Sequence, residues 1–286
     1  MILITGATGH IGQDLIQALI AINAPFRVLI HFSEKSKALN GKRIETVVAD
    51  FADRQSVQAA LQGIDRVFLL LPDSAQRVSL EKTFLACARK AAVKQIVRLS
   101  HIGANSHAAS PTLKWHGQGE QQLENSGLAY THLRVNWFMQ DMLANQFGSI
   151  MREGTVYQLY DDARVSLVDI RDVSAVAARV LTESGHEGRT YEITGPEALN
   201  FSQIAEKLSA HLDKTITYSR ISDAMAFQNM IACGLPIQVA HDYLTLFQFY
   251  RQGSAAALTG FVEIITGLPP RSLDAYIAEN IHIFNN

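Results

Sequence analysis

The residues whose spacing first suggests chemistry are Gly6-Ala7-Thr8-Gly9-His10-Ile11-Gly12, set between the β-branched run Ile2-Thr5 and a helical pattern carrying Ile11, Leu15, Ala18, Leu19 and Ile22. Strand, glycine-rich turn and helix in that order make a cradle for an anion. Gly6 permits the tight turn, and Gly9 lets a pyrophosphate approach the backbone N–H groups and the positive end of the helix. Gly12 allows close packing of helix on strand. With Thr8, His10 and Ile11 completing the loop, the expected ligand is a dinucleotide. A purely structural strand-to-helix turn is the alternative.

Ligands of open parallel sheets lie at the carboxyl ends of the strands, which singles out three further places. The second strand ends at His31 with no Asp or Glu at its tip to take a ribose 2′-hydroxyl; His31 and Lys35 offer donors for a 2′-phosphate, with Glu34 between them. NADP(H) is therefore favoured, with NAD(H) as the alternative. Asp50 and Phe51, after the third strand, are placed to hold adenine by a polar contact and an apolar wall. Leu70, Leu71 and Pro72, after the fourth, are placed to line the adenosine and pyrophosphate. Core or turn packing would explain each of these residues equally well.

The elements that position these residues follow from periodicity. Strands are expected over 2–5, 26–30, 44–48, 66–71, 95–100 and 129–134, separated by helical patterns long enough for crossovers. That alternation predicts an α/β fold, a Rossmann-type doubly wound parallel sheet over residues 1–150, rejoined by 163–185. Beyond it, short strands (155–157, 165–168, 190–193, 215–218) and helices (172–181, 201–212, 223–232, 237–251, 272–283) predict a smaller α+β C-terminal lobe over 186–286 that shapes a substrate cleft.

Taken together, several segments give the chain a resemblance to the NmrA-like group of atypical short-chain dehydrogenases/reductases, close to bacterial NAD(P)H:quinone and triarylmethane-dye reductases. They are the Gly-x-x-Gly-x-x-Gly loop at 6–12, Ser126-Gly127-Leu128-Ala129-Tyr130-Thr131-His132-Leu133-Arg134, Val168-Asp169-Ile170-Arg171-Asp172-Val173, the stretch from Gly188 to Leu199, and Thr266-Gly267-Leu268-Pro269-Pro270-Arg271. The family usually carries Arg where this chain has His31. Short-chain dehydrogenases use a Tyr-x-x-x-Lys dyad for proton exchange; aligned on Glu120, its two positions fall on Thr112 and His116, so the dyad is absent. Alcohol oxidation and sugar epimerisation by the usual route are thereby disfavoured.

The resemblance implies reduction of a quinone or related conjugated aromatic by NAD(P)H, which asks chiefly for orientation and needs neither flavin nor metal. His116, one turn before Glu120, is a candidate proton donor whose ring that carboxylate could orient, or half of a surface pair. Ser100 is a candidate for binding a substrate oxygen or for capping a turn. Asn136, Trp137 and Phe138 are placed at the nicotinamide end, the amide for polar contact and the rings for stacking a flat acceptor or for packing. A non-catalytic NAD(P)-sensing regulator that binds a protein partner is the competing reading. A reductase of isoflavone-like or sugar substrates, with Lys114 or His116 as proton donor, ranks third.

Composition limits the other classes. Of 286 residues, 48% are hydrophobic, and 25 Lys+Arg against 27 Asp+Glu leave a net charge of −2 without like-charge blocks, which argues against nucleic acid or an anionic membrane as partner. No apolar run approaches the ~18 residues of a spanning helix. Two cysteines and no visible secretory signal place the chain in a reducing cytoplasm, and the pattern leaves room for a homodimer.

Overall fold

The computed structural model describes residues 1–31 and 44–285. Its main sheet has the order β3-β2-β1-β4-β5-β6-β8, built from β1 (Ile2–Ile4), β2 (Phe26–Ile30), β3 (Glu45–Val48), β4 (Arg66–Leu69), β5 (Gln95–His101), β6 (Ala129–Val135) and β8 (Arg189–Ile193). The pairings β3-β2-β1-β4-β5-β6 are parallel throughout; Ile2, for example, pairs with Phe26 on one side and Arg66 on the other. The order reverses at β1, which puts the topological switch at the carboxyl ends of β1 and β4.

Side chains alternate across the sheet, and each face finds its own helices. Leu3, Leu29, Val67, Leu69 and Ile96 form one core with Val57 and Ala60 of α2 (Arg54–Ala60), Phe84, Leu85 and Ala88 of α3 (Arg77–Lys90) and Leu123 of α4 (Pro111–Glu124). On the other face α1 (His10–Ala21) packs with α6 (Ile170–Thr182), where Ser174 Oγ donates to the Ile11 carbonyl at 3.2 Å. Helices on both faces make the sheet doubly wound, as the alternation of the sequence predicts.

The chain divides into two compact units: Met1–Ala108 with Leu113–Val135 and Ile170–Glu192, and Ala109–Thr112 with Asn136–Asp169 and the chain from Ile193 onward. The first unit thus ends its main stretch at Val135 rather than at 150, because α5 (Met139–Glu153) packs on β7 (Thr155–Gln158) in the second unit. It also reaches Glu192 rather than 185, because β8 joins the sheet.

In the second unit β7 pairs in parallel with β9 (Thr217–Arg220), from Thr155 with Thr217 to Gln158 with Arg220. Residues 165–168, expected as a strand, make only single bridges, Phe138 with Val168 and Val165 with Leu199. The remaining helices are α7 (Phe201–Leu212), α8 (Asp223–Ala232), α9 (Ile237–Arg251), α10 (Phe261–Thr266) and α11 (Leu273–Glu279). The helix expected over 272–283 stops at Glu279 and continues as a 3-10 turn over Ile281–Asn285. Among the described residues no helix is long and apolar enough to cross a membrane.

Candidate active and coenzyme site

At the switch point, Thr5 fastens β1 to the end of β4: its Oγ1 accepts the Leu70 N–H at 2.8 Å and lies 3.0 Å from the Leu70 carbonyl. Gly6 follows with φ +65°, a conformation glycine adopts without strain, and a Cβ there would press 2.8 Å from the Leu70 side chain. A Cβ on Gly12 would overlap the Gly6 carbonyl oxygen and come within 2.6 Å of Ala7 Cα, so the bare backbone brings α1 onto the loop. Gly9 differs: its Cβ would meet only the Gly6 carbonyl oxygen, at 3.5 Å. It is the N-cap of α1, has no side chain to cap the helix, and no acidic residue stands in the first turn. The first-turn N–H groups and the positive helix end therefore suit an anion.

Around this loop Gly9 and His10 are exposed, Thr8 is half-buried with its carbonyl accepting from Gln13 Nε2, and the Ile11 side chain belongs to the core. His31 is exposed at the tip of β2, whereas Lys35 lies outside the described residues. Asp50 is exposed; its Oδ1 accepts the Ala52 N–H at 2.8 Å and its own N–H donates to Ser56 Oγ. The half-buried Phe51 ring packs 5.4 Å from Phe84. The expectation for Leu71 needs correction: its side chain is buried in the core, and its carbonyl is taken by Arg77 Nη1 at 2.6 Å. Leu70 is half-buried against Gly6, and Pro72 is exposed.

The catalytic candidates have partners that the sequence did not reveal. Ser100 neither caps a turn nor keeps its proton free, because its Oγ donates to Glu120 Oε1 at 2.6 Å. The same carboxylate receives Arg134 Nε at 2.9 Å and Nη2 at 2.6 Å. Burial would raise the Glu120 pKa, but the hydrogen bonds from Arg134 and Ser100 outweigh it and the group is held below the usual range. Glu120 is thus committed elsewhere and does not orient His116.

His116 is instead buried, 6% exposed, with Nε2 3.4 Å from Asp73 Oδ1 and Nδ1 without a hydrogen bond among the described residues. Burial, with Arg77 and Arg98 nearby, pushes its pKa down to about 3, so the ring is neutral at pH 7. Asp73, whose side chain is 46% exposed, remains a carboxylate: the contact with His116 and the charge of Arg77 bring its pKa down to about 2.

Asn136 is fully engaged within the second unit. Its Nδ2 donates to Ser166 Oγ at 2.7 Å and to the Ala255 carbonyl at 2.8 Å, while Oδ1 accepts the Trp137 N–H. Trp137 packs among Tyr160, Phe201 and Tyr250, with centroids 5.9–6.4 Å apart, so its ring is part of an aromatic core. Phe138 is half-buried at the N-cap of α5. Among the described residues, no cluster of three or more His, Cys, Asp or Glu is arranged to hold a metal ion.

Residues 1–277 match the model of the NmrA-like family. The chain belongs to the NmrA-like family. It is 32% identical over 273 residues to the NAD(P)H azoreductase of Xenophilus azovorans, covering 95% of each chain. It is 30% identical over 239 residues to quinone oxidoreductase 2 of Escherichia coli, covering 82% of this chain and 83% of that protein. The crystal structure of the NADPH-dependent quinone oxidoreductase of Escherichia coli complexed with NADPH superposes with a TM-score of 0.90 at 27% identity, over 98% of this chain and 100% of that one. The Citrobacter sp. triphenylmethane reductase complexed with NADP(H) has the same fold, with a TM-score of 0.87 at 21% identity and coverage of 97% and 100%.

Within this NmrA-like frame, sequence reasoning missed Asp73, which faces His116 from the segment after β4, and Arg77, which holds Asp73 from the first position of α3. One signal was available. Arg77 stands at the first position of a helix, where the macrodipole disfavours a cation, so its charge had to be used by a specific partner.

Proposed function

We propose that this NmrA-like protein is an NAD(P)H-dependent reductase that delivers hydride to a quinone or a related conjugated aromatic acceptor. The observation that carries the reading is the start of α1, where Gly9 leaves an uncapped helix end open at the carboxyl edge of β1. Gly6, Thr8, Gly9, His10 and Gly12 would hold the pyrophosphate, His31 and Lys35 the adenosine ribose or its phosphate, and Asp50, Phe51, Leu70 and Pro72 the adenosine side. When bound, the dinucleotide supplies hydride from its reduced nicotinamide, so the reading calls for neither flavin nor metal.

Ser100 and Asn136 have their protons committed to internal partners, and neutral His116 faces Asp73 at 3.4 Å. Water therefore protonates the reduced acceptor, and the chain's task is orientation. The curated relatives that cover most of this chain at 30% identity or more include an azoreductase and a quinone oxidoreductase, which supports the same class.

The test is oxidation of NADPH and NADH by purified protein against a panel of quinones, azo dyes and carbonyls, without added flavin or metal. Turnover with at least one quinone or azo acceptor is expected, and Thr112→Ala should keep most of it because Thr112 is no proton donor. The engaged state of every sequence-level candidate also favours a second reading, a sensor that binds NAD(P) without turnover. Tight NADP binding with no activity across the panel would select it.

A further inference from the structure

A buried arginine is costly to keep, since taking a guanidinium out of water is repaid only by well-made partners, and an apolar side chain would pack there at less expense. Arg77, 2% exposed, holds the Leu71 carbonyl at 2.6 Å and Asp73 Oδ1 at 2.6 Å with the same Nη1, while its Nε has no hydrogen bond among the described residues. Its two partners sit at either side of Pro72, in the segment that leaves β4. From α4, His116 Nε2 approaches the same Asp73 oxygen at 3.4 Å. Asp73 is thus gripped from two helices.

The gripped segment begins next to the phosphate loop. Leu70 is bonded to Thr5 Oγ1 through its N–H, and its side chain fills the space a Cβ on Gly6 would need. Any shift of residues 71–73 therefore pulls on Leu70 and, through it, on Thr5 and Gly6. Helix α4 can come close enough to take part because Gly119 has no side chain: a Cβ there would collide with Arg98 Nη2 and Glu81 Oε2. Gly119 stands three residues after His116, on the same face of the helix, and Glu81 four residues after Arg77, on the same face of α3. The paired Arg98 and Glu81 consequently fill the layer below the grip, and His116 with Arg77 fills the layer at the strand end.

We propose that Arg77, Asp73 and His116 are positioning residues for dinucleotide binding, clamping the loop after β4 so that Leu70 keeps the phosphate loop in its binding shape. The assignment rests on the dinucleotide reading above, and it gives His116 a task other than proton transfer. A neutral imidazole whose Nε2 faces a carboxylate at 3.4 Å suits that task.

The experiment uses the full chain with His116→Phe, Asp73→Asn and the conservative His116→Gln, whose amide nitrogen can replace Nε2. Calorimetry with NADPH, steady-state kinetics and hydrogen exchange of the amides at 70–73 are compared with wild type. His116→Phe and Asp73→Asn should raise the NADPH Kd about fivefold, roughly the size of one polar contact to a half-exposed carboxylate, with the kinetic loss concentrated in KM for NADPH and exchange faster at 70–73. His116→Gln should restore affinity to within about twofold of wild type.

An unchanged Kd beside faster exchange overturns the proposal, since the loop would then be clamped without consequence for binding. A collapse of kcat at saturating NADPH with Kd unchanged also overturns it, because His116 would then act on the reacting atoms. Wild type that binds no dinucleotide would remove the proposed function first, and the clamp with it, a result distinct from either.

Discussion

Glu120 and Arg134 form a two-point ion pair, Nε to Oε1 at 2.9 Å and Nη2 to Oε2 at 2.6 Å, and Ser100 Oγ donates to the same carboxylate at 2.6 Å. The carboxylate is buried and the Arg134 side chain 26% exposed, so removing the acid leaves the Ser100 hydroxyl without its acceptor and Arg134 with only the longer contact to Glu192 at 3.7 Å. Glu120→Ala should therefore cost about 2–3 kcal/mol, somewhat less than the loss of a fully buried partner, with Glu120→Gln less harmful because it keeps one acceptor oxygen. Urea denaturation would measure this. A variant with unchanged stability but lost turnover would show instead that Glu120 acts on the chemistry.

The two glycines at the helix start should fail in different ways. A methyl group on Gly12 has no room beside Gly6 and Ala7, so Gly12→Ala should destabilise the fold by about 1–3 kcal/mol, the usual range for overpacking. At Gly9 the backbone is extended (φ −84°, ψ 168°) and a Cβ has space, so Gly9→Val should fold normally while blocking the approach of a pyrophosphate. Circular dichroism melts with NADPH calorimetry separate the two effects. Undiminished NADPH affinity in Gly9→Val would refute the phosphate-loop assignment.

What could be read in the sequence was local. The turn at Gly6 to Gly12 announces itself because strand, glycines and helix face are contiguous, and the parallel, doubly wound class of the main sheet follows from alternating patterns that each span one element. The partners of Ser100, His116 and Asn136 were hidden because each comes from elsewhere: Glu120 to Ser100 across 20 residues, Asp73 to His116 from the segment after β4, Ala255 to Asn136 across 119 residues. A one-turn spacing made Glu120 look like the neighbour of His116. Arg134, from the strand beside Ser100, competes for that carboxylate with two hydrogen bonds. Trp137 was likewise open to two readings, since Tyr160, Phe201 and Tyr250 around it come from three other segments.

Buried neutral histidines tie stability to pH. Burial lowers the pKa of His116 to about 3 and of His132 to about 4, and lowers that of His101 as well. In the unfolded chain these rings titrate near 6.5, so below that pH the unfolded state binds protons that the folded state refuses. Stability should thus be at its plateau above about pH 6.5 and fall towards pH 4, with a slope approaching ~1.4 kcal/mol per pH unit for each such histidine. His132→Phe, which keeps a ring to stack on Tyr130, should flatten the slope by up to one proton. Denaturant midpoints from pH 4.5 to 7.5 provide the measurement, and equal slopes in variant and wild type would mean that His132 is protonated in the fold.

On the proposed reading, coenzyme choice would turn on His31, exposed at the tip of β2. An imidazole can meet a phosphate with one hydrogen bond, whereas a guanidinium is always charged and meets it with two parallel hydrogen bonds. If His31 faces the 2′-phosphate, His31→Arg should tighten NADPH about tenfold while leaving NADH within about twofold, the increment expected for one stronger charge-assisted contact. His31→Ala should lower the NADPH preference without abolishing it if Lys35, proposed above for the same phosphate, supplies a second cation. The dissociation constants of both coenzymes for all three proteins, taken at one pH and one salt concentration, decide the matter. Identical NADPH-to-NADH ratios would place His31 away from the ribose and return Glu34, with NAD as coenzyme, as the alternative.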